Sequence, residues 1–254
     1  MRSKLTNAVA VASLGLTLVA CGHDKDKNSG AAASSAPVTS AKPPASQVDA
    51  AGMVLAPSDV DQLLGITGSK SKYAINVFEE DAQKYSPGKW KFPDECAYAL
   101  GAAERQVYSG AGDVKIVGDD IAAFVNNDHD VEVGQAIVIF PTAKAAQDFF
   151  TKSTTTWKVC ADRQFTTPAV AVENPKIDWK VGPVANSSGV LTTSLAMKTA
   201  SASDGGPSVL VNTGRALTVR DNLVIDVDVT ITGKDPGDSA VKVANAIAGR
   251  EPQH

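Results

Sequence analysis

Histidine, cysteine and aromatic side chains are scarce in this chain, and each scarcity removes a class of chemistry. There are three histidines in 254 residues. His23 lies in a polar stretch and His254 ends the sequence, so His129 alone falls inside a foldable region. Any Ser-His-Asp apparatus would have to use it, yet it sits in the run Asn126 to Asp130, which reads as a solvated turn before a strand. With histidine this rare, a transition-metal site lacks ligands. The same run together with Asp119 and Asp120 offers oxygens to a calcium ion, but without the spacing of a calcium loop. No G-x-S-x-G elbow, P-loop, H-E-x-x-H pair or dinucleotide fingerprint occurs. The expectation is a non-enzyme with no cofactor and no metal. Basic residues are also in deficit: 24 Lys and Arg against 28 Asp and Glu give a formal charge of −4, a poor match for nucleic acid.

What is present begins at the N-terminus. Arg2 and Lys4 precede an apolar run from about Ala8 to Ala20, which is the layout of a secretory signal. Leu18-Val19-Ala20-Cys21, followed by Gly22, resembles a bacterial lipobox, in which the cysteine is acylated and becomes the new N-terminus. An ordinary signal with a stray cysteine, or a short membrane helix, are the alternatives, although the run is short of the roughly 20 apolar residues a span needs. Two acyl chains hold a protein stably where one does not. The expected mature chain, starting at Cys21, is thus tethered to the outer side of the cytoplasmic membrane. Loss of Arg2 and Lys4 takes its formal charge from −4 to −6. Residues 21–50 are rich in Ala, Ser, Pro and charges and lack aromatics, so they cannot bury enough surface to order themselves and read as a disordered tether.

Residues 51–249 form the folded domain, one core by size. Pro57-Ser58 opens a short helix with Ser58 as N-cap. Lys72 to Phe78 alternates like a strand, and a helix is predicted from Glu95 to about Arg105. Val131 to Phe140 reads as a central strand, apolar on both parities in its second half. Pro141-Thr142 then starts a helix through about Lys152, with Ala143, Ala146, Phe149 and Phe150 on one face. Strands follow at Val190 to Met197, Leu210 to Val219 and Leu223 to Ile231. A three-residue loop, Arg220-Asp221-Asn222, with Asn222 left-handed, would set Val219 opposite Leu223. Asp226 and Asp228 then occupy the other, partly wet face. A last helix starts at Asp235-Pro236 with Pro at its first position and buries Val243, Ala244 and Ile247. Helices before, between and after antiparallel strands indicate an α+β domain.

With Cys21 acylated, Cys96 and Cys160 remain as an even pair in an oxidising compartment. A bridge between them closes a loop of about 65 residues, worth about 4 kcal/mol on chain-entropy grounds. Two buried thiols or a metal pair are the alternatives. Trp90, Trp157 and Phe165 flank these cysteines, and such aromatics read as core packing.

These blocks also carry a resemblance. V-G-Q-A-I-V-I-F-P-T-A-K-A-A-Q-D-F-F (Val133 to Phe150), W-K-V-C (Trp157 to Cys160) and R-A-L-T-V-R-D-N-L-V-I-D-V (Arg215 to Val227) together resemble the PknH-like extracellular domain. That domain is the sensor module outside a mycobacterial serine/threonine kinase and also occurs in free-standing lipoproteins. The resemblance spans roughly Val54 to Ala248. It implies an antiparallel sheet packed against helices, with a large V-shaped cleft for an extracellular ligand. Many members carry a second cystine, with cysteines just before the R-A-L block and just after the hairpin strand. Here those places read V-N-T-G-R-A-L and D-V-T-I-T-G, and packing alone is expected to hold the sheet there. No kinase domain or membrane-spanning helix is expected to follow.

The functional expectation is a lipid-anchored extracytoplasmic binding or sensor domain that captures a small molecule, glycan or lipid. The alternatives are a protein-interaction module of the envelope and, less favoured, a hydrolase. Asp226 and Asp228, two carboxylates on one strand face, are the candidate ligand contacts.

Overall fold

Alternating apolar residues build one antiparallel sheet, and its nine described strands make the frame on which everything else rests. In the computed structural model the described residues are 50–77, 92–108, 110–112, 114–125, 129–168, 176–199 and 209–251. The signal-like segment, Cys21, the tether, Phe78 and Trp90 lie outside them. The strands are β1 (Lys70–Val77), β2 (Lys115–Val125), β3 (His129–Ile139), β4 (Gln164–Pro168), β5 (Lys176–Val181), β6 (Ala185–Ser187), β7 (Val190–Thr199), β8 (Leu210–Arg220) and β9 (Leu223–Thr232). Their order is β1-β2-β3-β9-β8-β7-β5-β4, with β6 paired to β7. β3 is central, as its two-sided apolar pattern predicts, and Ala136, Ile137 and Val138 are fully buried.

One face of the sheet packs on α1 (Pro57–Leu64) and α4 (Ser239–Ala248) through Val60, Ile137, Ile225, Val227, Val243 and Ile247. The other face packs on α3 (Ala143–Thr156) and on residues 94–108, a strap made of a 3-10 helix (Asp94–Ala99), a bend and the one-turn α2 (Arg105–Tyr108). Within α3, Ala146 and Phe150 are buried and Phe149 half-buried, whereas Ala143 is exposed. Thr142 caps that helix, its hydroxyl accepting from the Ala145 N–H at 3.1 Å.

Several local expectations are corrected. α3 runs four residues past Lys152, and its buried face continues through Ser153 to Trp157 at its C-cap. Ser58 is not the cap of α1: Pro57 stands at the first helical position, Ala56 is the N-cap, and the Asp59 carboxylate accepts from the Ala56 N–H at 3.1 Å. α4 starts at Ser239, not at Asp235-Pro236, because those two residues form a turn in which the Gly237 N–H donates to Asp235. The helix predicted from Glu95 to Arg105 is instead broken after Ala99, and Ala103 has φ 58°.

The β8–β9 hairpin differs by one residue from its predicted register. Its turn is the pair Asp221-Asn222, with Arg220 opposite Leu223 and Val219 opposite Val224. Asp221, not Asn222, takes the positive φ, 53°. Asn222 is buried and turns its side-chain amide to the Phe140 carbonyl at 3.0 Å, while its own carbonyl accepts from Phe140 N–H at 2.8 Å. A two-residue turn keeps Leu217, Val219, Val224, Asp226 and Asp228 on one face. That face is covered by the strap and α3 and is not a wet one. Where the second cystine is absent, Thr213 and Thr230 face each other across the hairpin and their hydroxyls are hydrogen-bonded at 2.8 Å.

Candidate functional site: a strap over a buried charge cluster

Arg215 explains the strap. On β8 its side chain is 1% exposed, directly opposite Asp228 on β9, and its Nη2 donates to Asp226 Oδ1 at 2.5 Å. Its Nε donates to the Tyr98 carbonyl of the strap at 2.8 Å. The strap returns three donors to the same carboxylates. The Ala102 N–H reaches Asp228 Oδ1 at 2.7 Å, the Ala103 N–H reaches Asp226 Oδ2 at 3.1 Å, and the Tyr108 hydroxyl reaches Asp226 Oδ2 at 2.8 Å. This is why no continuous helix forms there: two amides that a helix would turn to its own carbonyls point into the sheet.

A covalent clamp holds the other end. Cys96 and Cys160 are bridged, with 5.4 Å between their Cα atoms. Tyr98 stacks on Trp157 at 4.5 Å between ring centres, and its hydroxyl donates to the Trp157 carbonyl. Tyr108 stacks on Phe149 at 5.0 Å. Trp157, beside the cystine, therefore serves packing, as expected from the sequence.

The electrostatics follow from burial. Desolvation works against the charge on Arg215, but Asp226 and Asp228 outweigh it and its pKa is raised. Burial pushes Asp228 up to about 7; Arg215 and the Ala102 N–H oppose this, and Asp120 and Asp226 reinforce it. Glu104, half-buried on the strap, is pushed up to about 7 by burial, with Arg215 opposing and Asp228 and Asp226 reinforcing. Tyr108 is raised well above its ordinary value, by burial first and then by the Asp226 charge that accepts its proton.

The two aspartates singled out from the sequence are thus brought together, but beneath the strap. Asp226 is 1% exposed and its two oxygens serve Arg215, Tyr108 and Ala103. Asp228 keeps 14% of its side chain exposed. Asp119 and Asp120 sit mid-strand on opposite faces of β2, and Asp119 accepts from the Ser71 hydroxyl at 2.6 Å. Among the described residues no group of three potential metal ligands converges. The sequence reading missed Arg215, Glu104 and Tyr108. The signal was an arginine in the middle of β8, next to Ala216 and Leu217 and opposite Asp228 once the hairpin register is right.

Between the strap and α3 runs a groove with two lobes. One, about 210 Å³, is bordered by Asp94, Glu95, Gln106, Lys152 and Thr156 over Tyr98 and Trp157. The other, about 320 Å³, lies along Gly110, Ala111, Phe140, Ala145 and Asp148. Val107, Phe149 and Lys152 line both lobes, so the two lie side by side. Aromatic rings and polar side chains share the lining, and both lobes are open to solvent.

The PknH-like extracellular domain matches residues 44–250. The serine/threonine-protein kinase PknH of Mycobacterium bovis is 28% identical over 185 residues, 73% of this chain and 28% of that protein. PknH of Mycobacterium tuberculosis matches at the same identity, over 27% of its length. The chain therefore spans just over a quarter of the curated relatives it matches. The crystal structure of the extracellular domain of PknH from Mycobacterium tuberculosis superposes with a TM-score of 0.60 and 27% identity, covering 78% of this chain and 91% of that one. Matched over most of its length by sequence, and by an antiparallel sheet clad in helices, this chain belongs to the PknH-like extracellular domain family.

Proposed function

We propose that this protein is an extracytoplasmic binding module whose groove between the strap and α3 takes a small molecule, glycan or lipid, with the chain held to the membrane through Cys21. The observation that carries this reading is the construction of the groove's inner wall. Residues 94–108 contain only two short helical stretches, yet they are fixed by a cystine, two aromatic stacks and hydrogen bonds to a buried ion pair. A wall so held presents its lining in one geometry, which lowers the ordering cost of binding. The family relation to an extracellular domain supports the location. Asp226 and Asp228 act in this reading as the wall's anchors and not as ligand contacts. Among the described residues no helix is long and apolar enough to cross a membrane.

A second reading, docking of an envelope protein, is favoured by Val159, Val209 and Leu210, which are 62%, 46% and 42% exposed. Untargeted mass spectrometry of molecules retained by the purified full chain decides between the two. Wild type is expected to retain a species that Val107→Trp, which enlarges a residue lining both lobes, loses while its thermal midpoint stays within about 2 °C. No retained species in wild type, or equal retention in the variant, rejects the groove as a ligand site.

A further inference from the structure

Towards one edge of the sheet, β4, β5 and β7 are covered on one face only. Ile177, Trp179, Val181 and Leu195 are buried on the strap side. On the other face α4 packs on β8 and β9, and beyond it Thr166, Asp178 and Ser194 are exposed. Four lysines gather on this open face. Lys176 and Lys180 stand on it from β5, and Lys198 of β7 lies across from Asp178 between them. Leu210 of β8 is opposite Lys198 in turn, and its carbonyl accepts from the Gly233 N–H at 2.7 Å, which brings Lys234 alongside. All four lysines are exposed, and among the described residues none has an ion-pair partner. The aspartates near them are engaged otherwise: Asp178 accepts from the Thr166 hydroxyl at 2.7 Å and Asp235 from the Gly237 N–H at 2.9 Å. Four lysines against two aspartates make the patch positive in a chain whose formal charge is −4.

The same patch holds exposed aliphatic surface. Val209 is 46% exposed and Leu210 42%. Lys234 also borders a cavity of about 240 Å³ lined by Leu64, Ile66, Val131 and Ile231. Aliphatic side chains beside unpaired ammonium groups on long flexible stems match a boundary where anionic headgroups lie over hydrocarbon. We propose that this face docks on an anionic lipid surface, with Lys176, Lys180, Lys198 and Lys234 among the headgroups and Val209 and Leu210 at the acyl boundary. Charge alone would suit any polyanion, and the aliphatic pair selects lipid. Val209 and Leu210 then meet lipid and not an envelope protein, which leaves Val159 to the docking reading above.

An anchor at Cys21, as proposed above, would hold the domain within about 100 Å of a bilayer, the full stretch of residues 22–49. A weak surface contact is then enough, because the anchor keeps the local lipid concentration high. Docking also gives the domain an orientation. The strap and α3 lie on the opposite face of the sheet, so the groove between them is turned away from the lipid. That last consequence rests on the groove reading; the docking does not.

The test uses residues 44–254, which carry the whole family domain without the signal-like run and Cys21; the matching extracellular domain of PknH forms crystals by itself. Sedimentation with vesicles of equal parts phosphatidylglycerol and phosphatidylcholine is compared with sedimentation with phosphatidylcholine alone. Partition into the anionic vesicles is expected to be about tenfold higher or more at about 0.1 M salt, each lysine near the surface contributing about fivefold. Most of it is expected to be lost at about 1 M salt, where charges are screened beyond about 3 Å. Lys198→Gln with Lys234→Gln is expected to weaken it about twentyfold. Leu210→Ser, which alters no charge, is expected to weaken it about threefold or more. All three positions are exposed, and an unchanged thermal midpoint checks that the fold is kept. No binding to either vesicle, equal binding to both, or undiminished binding of Leu210→Ser overturns the proposal. Neither groove nor anchor enters the assay, so its failure is separate from theirs.

Discussion

The two faces of the sheet solve the same burial problem with opposite chemistry. Under α1 and α4 the contact is aliphatic: Ile137, Ile225, Val227, Val243 and Ile247 are all 0% exposed. The polar side chain Gln135 there is fully matched to one backbone residue, accepting from the Leu55 N–H at 2.9 Å and donating to its carbonyl at 2.7 Å. Under the strap, a guanidinium, several carboxylates and a phenol occupy the equivalent layer. Aliphatic packing is tolerant and non-directional, whereas buried ions are strongly directional and are costly when any one partner is missing. The face beside the groove therefore adds a directional, titratable cluster to an apolar core of its own, built on residues such as Phe140, Trp157, Leu217 and Val224.

Breaking the polar face is expected to cost most. Arg215→Met leaves Asp226 and Asp228 buried without their cation, a loss of about 5 kcal/mol in urea unfolding, greater at about pH 8 than at about pH 5.5 because the orphaned Asp228 ionises. An equal loss at both pH values would show that Asp228 does not titrate with the strap in place. Next is Cys160→Ser, which opens the Cys96 clamp and is expected to cost about 4 kcal/mol, with both native cysteines resistant to alkylation until reduced. Free labelling of both thiols in native protein contradicts that clamp. The dry face sharpens the contrast: Ile247→Ala is expected to cost about 3 kcal/mol, the same at either pH, since no titrating group lines that cavity. A pH-dependent loss there would mean that the two faces are coupled.

Much of this frame was legible in the residues. The two-sided apolar run Ala136 to Phe140 marked a central strand, and two cysteines left over in an oxidising compartment marked a bridge. The site was less legible, and a single register step accounts for most of the gap. A three-residue loop sets Arg215 across from Val227, which hides the ion pair; the two-residue turn sets it across from Asp228. Parity of the flanking apolar residues could not decide, because both faces of β8 and β9 are buried and a slip exposes nothing. The strap was misread as a helix for a different reason. Its local preference is helical, and long-range bonds from Ala102 and Ala103 to aspartates more than a hundred residues away override it.

The pairing of Gln135 with Leu55 has a mechanical consequence. Arg250, just past α4, donates to the Val54 carbonyl at 3.0 Å and pairs with Asp59 at 2.6 Å, so the entry and exit of the domain are tied to each other as well as to β3. A pull transmitted along the residues before Ala50 is met at Leu55 by the middle of the sheet and at Val54 by the chain's own end. That tie lies wholly on the α1–α4 side of the sheet, and the strap and its groove lie on the other.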